Sequence, residues 1–312
     1  GELQELPPRL RSGRVYYSAI LTPKGKMITD LRVFRGEGES LLLELPGAGM
    51  REAKDHFGRF LPPRLAQVED VSQAWALLTL VGPEALALLD AVLSERVDGG
   101  GGAGELRGFL DGLEEGEEVV IPDSPFGVLR ITPNDDVVPP AWDVLLPRGE
   151  EEGMRARLSG AGAQPLVPDT LHVLRVERGR PTFGKDMDSG TIPTEAGIDD
   201  RAIDHEKGCY TGQEVIVRIR DRGQVNKHLR GLLLGDLSVP APGEELFSYR
   251  VGNAVGHITS ACYSPAFEAT IALGYVARRV HPGGEVRVGA EEGPPGKVVA
   301  LTDDGWELGA RG

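Results

Sequence analysis

Beyond about Asn226 the sequence breaks into short β-favouring runs closed by Gly or Pro, and this punctuation constrains the fold more than any other feature. HLRGLLL, GHITSACYS, TIALGYVARR, GEVRVG and GKVVAL follow one another with turn signals between them. That spacing predicts a small closed or sandwiched β-domain over residues 226–312.

The rest of the chain mixes both kinds of element. Val15 to Leu21 and Met27 to Phe34 are β-favouring runs joined by TPKGK, a turn sequence, so together they predict a hairpin. Leu41 to Leu45 reads as another strand, closed by PGAG. Helical periodicity follows in Met50 to Phe60 and in Glu84 to Leu93, where Leu86, Leu89 and Val92–Leu93 share a face. Between Val97 and Glu118 lies a Gly-rich, acidic stretch that includes GGGGAGE. It lacks the Gly-Lys-Ser/Thr ending of a phosphate loop and reads as a surface linker or hairpin tip. A second such stretch, PRGEEEG, separates the strand-like WDVLLP from DTLHVLRVERGRPTFGKDM, which reads as a helix running into a loop. No internal repeat is visible. At 312 residues, the chain has room for two or three domains of about 150 residues.

Composition narrows the partners. A hydrophobic fraction of 40% and a charged fraction of 26% are those of an ordinary globular protein. No apolar run reaches the length of a membrane span, and no basic segment followed by an apolar stretch opens the chain. The start at Gly1 rather than Met implies an upstream piece that this sequence lacks. Two cysteines make no disulfide framework, so the expected compartment is the cytoplasm. A net charge of −14 speaks against coating nucleic acid or an anionic membrane. Locally, however, Arg218, Arg220, Arg222, Lys227 and Arg230 crowd together, opposed only by Asp221. The plain reading is a solvated face; the sharper one is a clamp for an anionic ligand.

One of the two cysteines lies just ahead of that cluster, in KGCYTGQEVIVRIRDRG. Thr211-Gly-Gln-Glu214 fits a capping box, which would start a helix two residues after Cys209, although VIVRIR also suits a strand. The helix dipole and Lys207 would both favour a thiolate, against the alternative of a small buried residue. Cys262, in the alternating HITSACYS, reads as a packing residue. Asp30 falls inside MITDLRVF, where Asp is disfavoured. The ordinary outcome for it is a strand-end residue facing solvent. Glu195 lies in the turn-rich GTIPTEAGI. His205 and Cys209, four residues apart, are too few to make a metal site, and no metal is expected.

The run Lys207, Gly208, Cys209, Tyr210, Thr211, Gly212, Gln213, Glu214 resembles, without a mismatch, the K-G-C-Y-x-G-Q-E signature of the YgfZ-type folate-binding proteins implicated in iron–sulfur cluster assembly and repair. YYSAILTPKGKMITDLRVFR, LRVERGRPTFGKDMDSGTIPTEAGI and GHITSACYSPAFEATIALGYV resemble segments this family shares with the aminomethyltransferase of the glycine cleavage system, the T-protein. The resemblance implies an α+β fold: a three-domain ring with two intertwined α+β units in residues 1–225, bounded near 46 and 147, and a C-terminal β-barrel over 226–312. It implies tetrahydrofolate as cofactor, with Asp30 near the reacting folate nitrogen, Glu195 on the pterin, and Cys209 as an essential thiol. Family members extend upstream of the position matching Gly1 and contribute to the folate site there. A carboxylate suits a pterin, whose amino group and ring N–H it can accept together. Arg218, Arg220 and Arg222 would hold the ligand's carboxylates.

Three functions follow. The first is a tetrahydrofolate-binding accessory factor acting through Cys209 on iron–sulfur client or assembly proteins. The second is an aminomethyl- or methyl-transfer enzyme of the T-protein type, using Asp30. The third is a folate-binding module with no chemistry of its own.

Overall fold

The structure, a computed structural model, describes residues 11–36, 38–94, 105–249 and 252–308. The elements, in chain order, are β1 (Arg11–Leu21), β2 (Met27–Arg35), β3 (Leu41–Glu44), α1 (Gly47–Phe60), β4 (Trp75–Val81), α2 (Ala85–Ser94), α3 (Glu105–Leu110), β5 (Glu117–Ser124), β6 (Gly127–Asn134), β7 (Ala141–Pro147) and α4 (Glu151–Gly160). There follow α5 (Pro168–Arg178), α6 (Pro193–Ala196), α7 (Asp199–Ala202) and α8 (Gln213–Arg222), then β8 (Lys227–Gly235), β9 (Glu245–Ser248), β10 (Ala254–Ser264), β11 (Ala269–Ala277), β12 (Glu285–Val288), β13 (Pro295–Val299), β14 (Leu301–Thr302) and β15 (Gly305–Trp306).

Two compact units divide the chain. The first comprises Gly1–Tyr16, Val33–Leu43 and Pro63–Val167. Its centre is the antiparallel run β5-β6-β7-β4, in the seven-stranded order β3-β2-β1-β5-β6-β7-β4. In β4 the alternation of WALLTLV buries Ala76, Leu78 and Leu80 on one face, as a half-buried strand requires. Those side chains meet Leu86, Leu89 and Leu93 of α2 and Met154 and Leu158 of α4 in one apolar cluster. The expected linker over Val97–Glu118 needs correction. Residues 95–104 lie outside the described ones, Glu105–Leu110 forms α3, and β5 begins at Glu117. Leu110, fully buried in the same cluster, supplies the apolar anchor that makes this segment fold. PRGEEEG likewise leads straight into a helix, because Glu151 and Glu152 in the first turn of α4 suit the positive end of its dipole.

The second unit comprises Tyr17–Arg32, Glu44–Pro62 and Pro168–Gly312. Because β1 and β2 belong in part to each unit, the chain interlaces them covalently. The C-terminal strands close into an antiparallel barrel, β10-β11-β8-β13-β12-β9, filled by Leu232, Leu234, Leu246, Ile258, Val286 and Val298 among others. A register shift between Ile258 and Ser260 bends β10. Outside the barrel, Val176 of α5 packs with Leu229, Cys262, Ile271 and Leu273. The hairpin end nearest the turn packs against the segment after α5: Leu21 and Met27 join Phe183, Met187, Ala196, Ile198, Ala202 and Ile216. Within α1, Gly49 lies so close to Thr29 that any side chain there would collide with it. Among the described residues, no helix is long and apolar enough to cross a membrane.

Candidate functional site

Every site residue read from the sequence lies in the second unit. Asp30 sits in the interior of β2 with only 8% exposure, so the expectation of a solvent-facing strand end is corrected. Its Oδ2 accepts a hydrogen bond from the Tyr17 hydroxyl at 2.9 Å. The guanidinium of Arg201 stacks over the Tyr17 ring, 4.7 Å from its centroid. A carboxylate taken out of water in a strand is costly unless it is hydrogen-bonded, and Tyr17 meets part of that need. Tyr17 was not singled out from the sequence; its signal is the hairpin itself, which brings together side chains 13 positions apart.

Glu195 is half-buried in the single turn of α6, which ends at Gly197 in the left-handed conformation. The segment that carries it is anchored by a buried ionic network. Arg175 of α5 donates to Asp186 Oδ2 at 2.6 Å, to the Arg180 carbonyl at 2.5 Å and to Ser260 Oγ at 2.8 Å. Asp186 also accepts from the Thr182 amide, Thr259 Oγ1 and Ser260 Oγ. Its two oxygens therefore tie the loop after α5 to strand β10. Beside it, His172 lies 3.2 Å from the Ala261 carbonyl, and burial pulls its imidazole below the ordinary range. Glu195 lines a cavity of about 40 Å³ together with Arg180, Ile198, His228, Arg230 and Thr302. That volume holds a few waters or one small polar group, not a pterin ring.

The motif segment forms an irregular turn into α8, a helix where a strand was the alternative. The capping box is not formed. Gly212 is the N-cap, with φ of 85°, and no side chain caps the helix. A Cβ at position 212 would stand 2.7 Å from the Thr22 carbonyl, so only glycine fits and Thr211 falls outside the helix. Glu214, instead of reaching back, pairs with Arg218 at 2.7 Å one turn on, both largely exposed. Cys209 is exposed, three residues before the N-cap rather than two. Lys207 Nζ lies over the Tyr210 ring at 5.1 Å, and Tyr210 packs on the cluster around Ile216. Arg220 is exposed and paired with Asp221. Arg222 closes α8, and its side chain lies outside the described ones. Neither Arg218 nor Arg220 lines the Glu195 cavity; Arg230 of the same cluster does. Cys262 is buried, and burial pushes its thiol up to about 11. Among the described residues, no three His, Cys, Asp or Glu side chains gather as a metal-binding set.

Interlaced α+β elements followed by a six-stranded closed barrel define a T-protein-type fold. The family model described as "GCVT N-terminal domain" matches residues 7–100, and that described as "Glycine cleavage T-protein C-terminal barrel domain" matches residues 227–301. The aminomethyltransferase of Moorella thermoacetica is 31% identical over 291 residues, covering 90% of this chain and 73% of that protein. That of Rubrobacter xylanophilus is 29% identical over 296 residues, covering 94% and 74%. The crystal structure of glycine cleavage system aminomethyltransferase T from Bartonella henselae superposes with a TM-score of 0.74 at 22% identity, over 94% of this chain and 77% of that one. The chain belongs to the glycine cleavage T-protein, or aminomethyltransferase, superfamily.

Proposed function

We propose that the chain binds tetrahydrofolate and serves one-carbon transfer of the aminomethyltransferase type. The observation that carries this reading is Asp30, a buried carboxylate held by Tyr17 in a hairpin matched by the N-terminal family model. The similarity to aminomethyltransferases over most of the chain supports it as well. Folate, when bound, supplies the nitrogen that carries the one-carbon unit. Asp30 would hold charge or a proton beside that nitrogen, and the Tyr17 hydroxyl would fix the carboxylate's orientation. Glu195 fits the pterin chemically, since its half-buried carboxylate offers two acceptor oxygens. With a cavity too small for the ring, it would meet the ligand from the cavity's rim. Among the described residues, Arg218 and Arg220 are held by exposed pairs worth little in water, so an anionic ligand tail could displace their partners.

The test supplies purified protein with tetrahydrofolate and an aminomethyl-loaded lipoyl carrier. Transfer should occur in the wild type and in Cys209→Ser, and should collapse in Asp30→Asn. Tyr17→Phe should lower the turnover rate more than folate affinity. Calorimetry on Glu195→Gln should show weaker folate binding, by roughly 1.5–3 kcal/mol for each charge-assisted hydrogen bond lost.

A second reading rests on the exposed thiol of Cys209 within KGCYTGQE: the chain would act as a folate-binding accessory factor for iron–sulfur proteins. It predicts no transfer in that assay, and loss of iron–sulfur enzyme activity in cells whose only copy carries Cys209→Ser. Full rescue by that variant would dismiss it.

A further inference from the structure

Strand β8 places a cation where the barrel calls for an apolar side chain. Residues of one parity along a strand face one side, and the row Arg230, Leu232, Leu234 continues from the barrel interior, where Leu232 is fully buried, toward its end. No register shift interrupts β8 between Lys227 and Leu233, so Arg230 shares the inward side with Leu232. His228 is the next residue of that row. Both line the same cavity as α6 and its left-handed cap, with Glu195, Ile198, Arg180 and Thr302.

The charges of this cavity do not cancel pairwise. Arg180 is committed to Asp303, through Oδ1 at 3.2 Å and the carbonyl at 2.9 Å. Glu195 lies beyond ion-pair distance of any cation among the described residues. Arg230 makes neither an ion pair nor a hydrogen bond among them, and burial is the one influence on its guanidinium, disfavouring its charge. Around His228 stand Arg230, Arg278 and Asp199; burial, helped by the two arginines and opposed only by Asp199 among the groups named, holds the imidazole below its ordinary range, neutral at pH 7. Arg230 is half-buried, and a partly desolvated guanidinium without a protein partner favours a bound anion, whose oxygens its planar fork of donors matches.

We infer that the cleft at Arg230 binds a small carboxylate, a ligand class separate from the folate of the proposed function. The volume of about 40 Å³ admits one carboxylate with a water and little more. Glu195 in the lining disfavours a dianion, so a single negative charge suits the site better than sulfate or phosphate does. The neutral His228 offers one further hydrogen bond.

The probe is formate, added to protein carrying labelled imidazoles, with chloride at matched ionic strength as control. The His228 signal, assigned with His228→Gln, should shift saturably with formate, and its titration midpoint should rise, because a bound anion favours the imidazolium. Arg230→Gln should weaken the response by about tenfold or more, as expected for loss of charge-assisted hydrogen bonds. Arg230→Lys, which keeps the charge if the Gln variant fails to fold, should bind formate but less tightly. Glu195→Gln should bind it more tightly. Chloride giving the same shift, an unchanged response in folded Arg230→Gln, or no saturation with formate would overturn the site. Sulfate binding more tightly than formate would overturn the carboxylate assignment.

Discussion

Removing Asp186 should loosen the second unit while sparing the first. Asp186 is 2% exposed and accepts four hydrogen bonds: from Arg175 at 2.6 Å, the Thr182 amide at 3.0 Å, Thr259 at 2.6 Å and Ser260 at 2.7 Å. In Asp186→Ala these donors lose this acceptor, Thr259 keeping the Leu273 carbonyl at 3.2 Å, and Arg175, itself 8% exposed, is left buried without its counter-ion. Breaking such a pair from one side costs about 3–5 kcal/mol. Arg175 keeps the Arg180 carbonyl, which argues for the lower end. Native-state hydrogen exchange reads this locally. At about 1.4 kcal/mol per tenfold, amides of α5 should exchange roughly two to three orders of magnitude faster. Amides of β6 and β7, in the other unit, should not change. Asp186→Asn keeps the volume and one acceptor oxygen, and should fall between. Arg218→Ala, which breaks an exposed pair, should leave α5 protection where it was. Less than a tenfold change in Asp186→Ala would mean that water, not Asp186, balances Arg175, and the anchoring of the Glu195 segment would have to be sought elsewhere.

Gly212→Ala should destabilise the start of α8 by at least about 1–2 kcal/mol, the cost of a side chain in the left-handed conformation, and raise exchange of the α8 amides; an unchanged melt would refute the close approach to Thr22. Burial holds His172, His228 and His257 below the ordinary imidazole value, so the folded protein binds fewer protons than the unfolded one just below pH 6.5. Stability of the second unit should therefore fall as pH drops from 7 through that window, and a flat melting profile between pH 7.5 and 5.5 would count against it. With Cys262 buried and its thiol pushed up to about 11, iodoacetamide at pH 8 should label Cys209 alone until denaturant is added, as mass spectrometry of the adducts would show.

Elements whose side chains all obey one local rule were legible in the sequence. The hairpin, α1, α2 and α5, and five of the barrel strands declare themselves through period and punctuation. β4 alternates just as clearly, but it is a short run set between two longer helical patterns. Four-residue β9, in EELFSYR, has too few alternations to stand out, and only closure of the barrel against β10 and β12 makes it a strand. Site geometry was less legible, because it depends on pairings that no window contains. Arg175 and Ser260 are 85 positions apart, and Arg180 meets Asp303 across 123. The capping box failed for a related reason: Thr211 and Glu214 satisfy the local rule, but the contact of Gly212 with the turn at Thr22 decides where the helix starts.

That contact also helps separate the residues of KGCYTGQE that folding explains from Gly208, Cys209 and Thr211, which it does not. Gly212 is required by its positive φ and by the Thr22 carbonyl. Tyr210 fills space beside Ile216, and Lys207 lies over its ring. Gln213 opens α8, and Glu214 steadies it through Arg218. Cys209 has no such account. It is exposed, and among the described residues it makes no hydrogen bond or ion pair, so replacing it with Ser removes nothing the fold uses. Substitutions of this kind usually change stability by no more than about 0.5 kcal/mol. Any larger consequence of Cys209→Ser must then arise from chemistry at the sulfur. A substitution at Asp30 disturbs a buried carboxylate and so mixes a loss of stability with any chemical effect, whereas one at the exposed Cys209 does not. A Cys209→Ser protein that melts like the wild type and still transfers one-carbon units would leave the thiol to a separate task, and one that melts alike but transfers nothing would bring the motif into the transfer site itself.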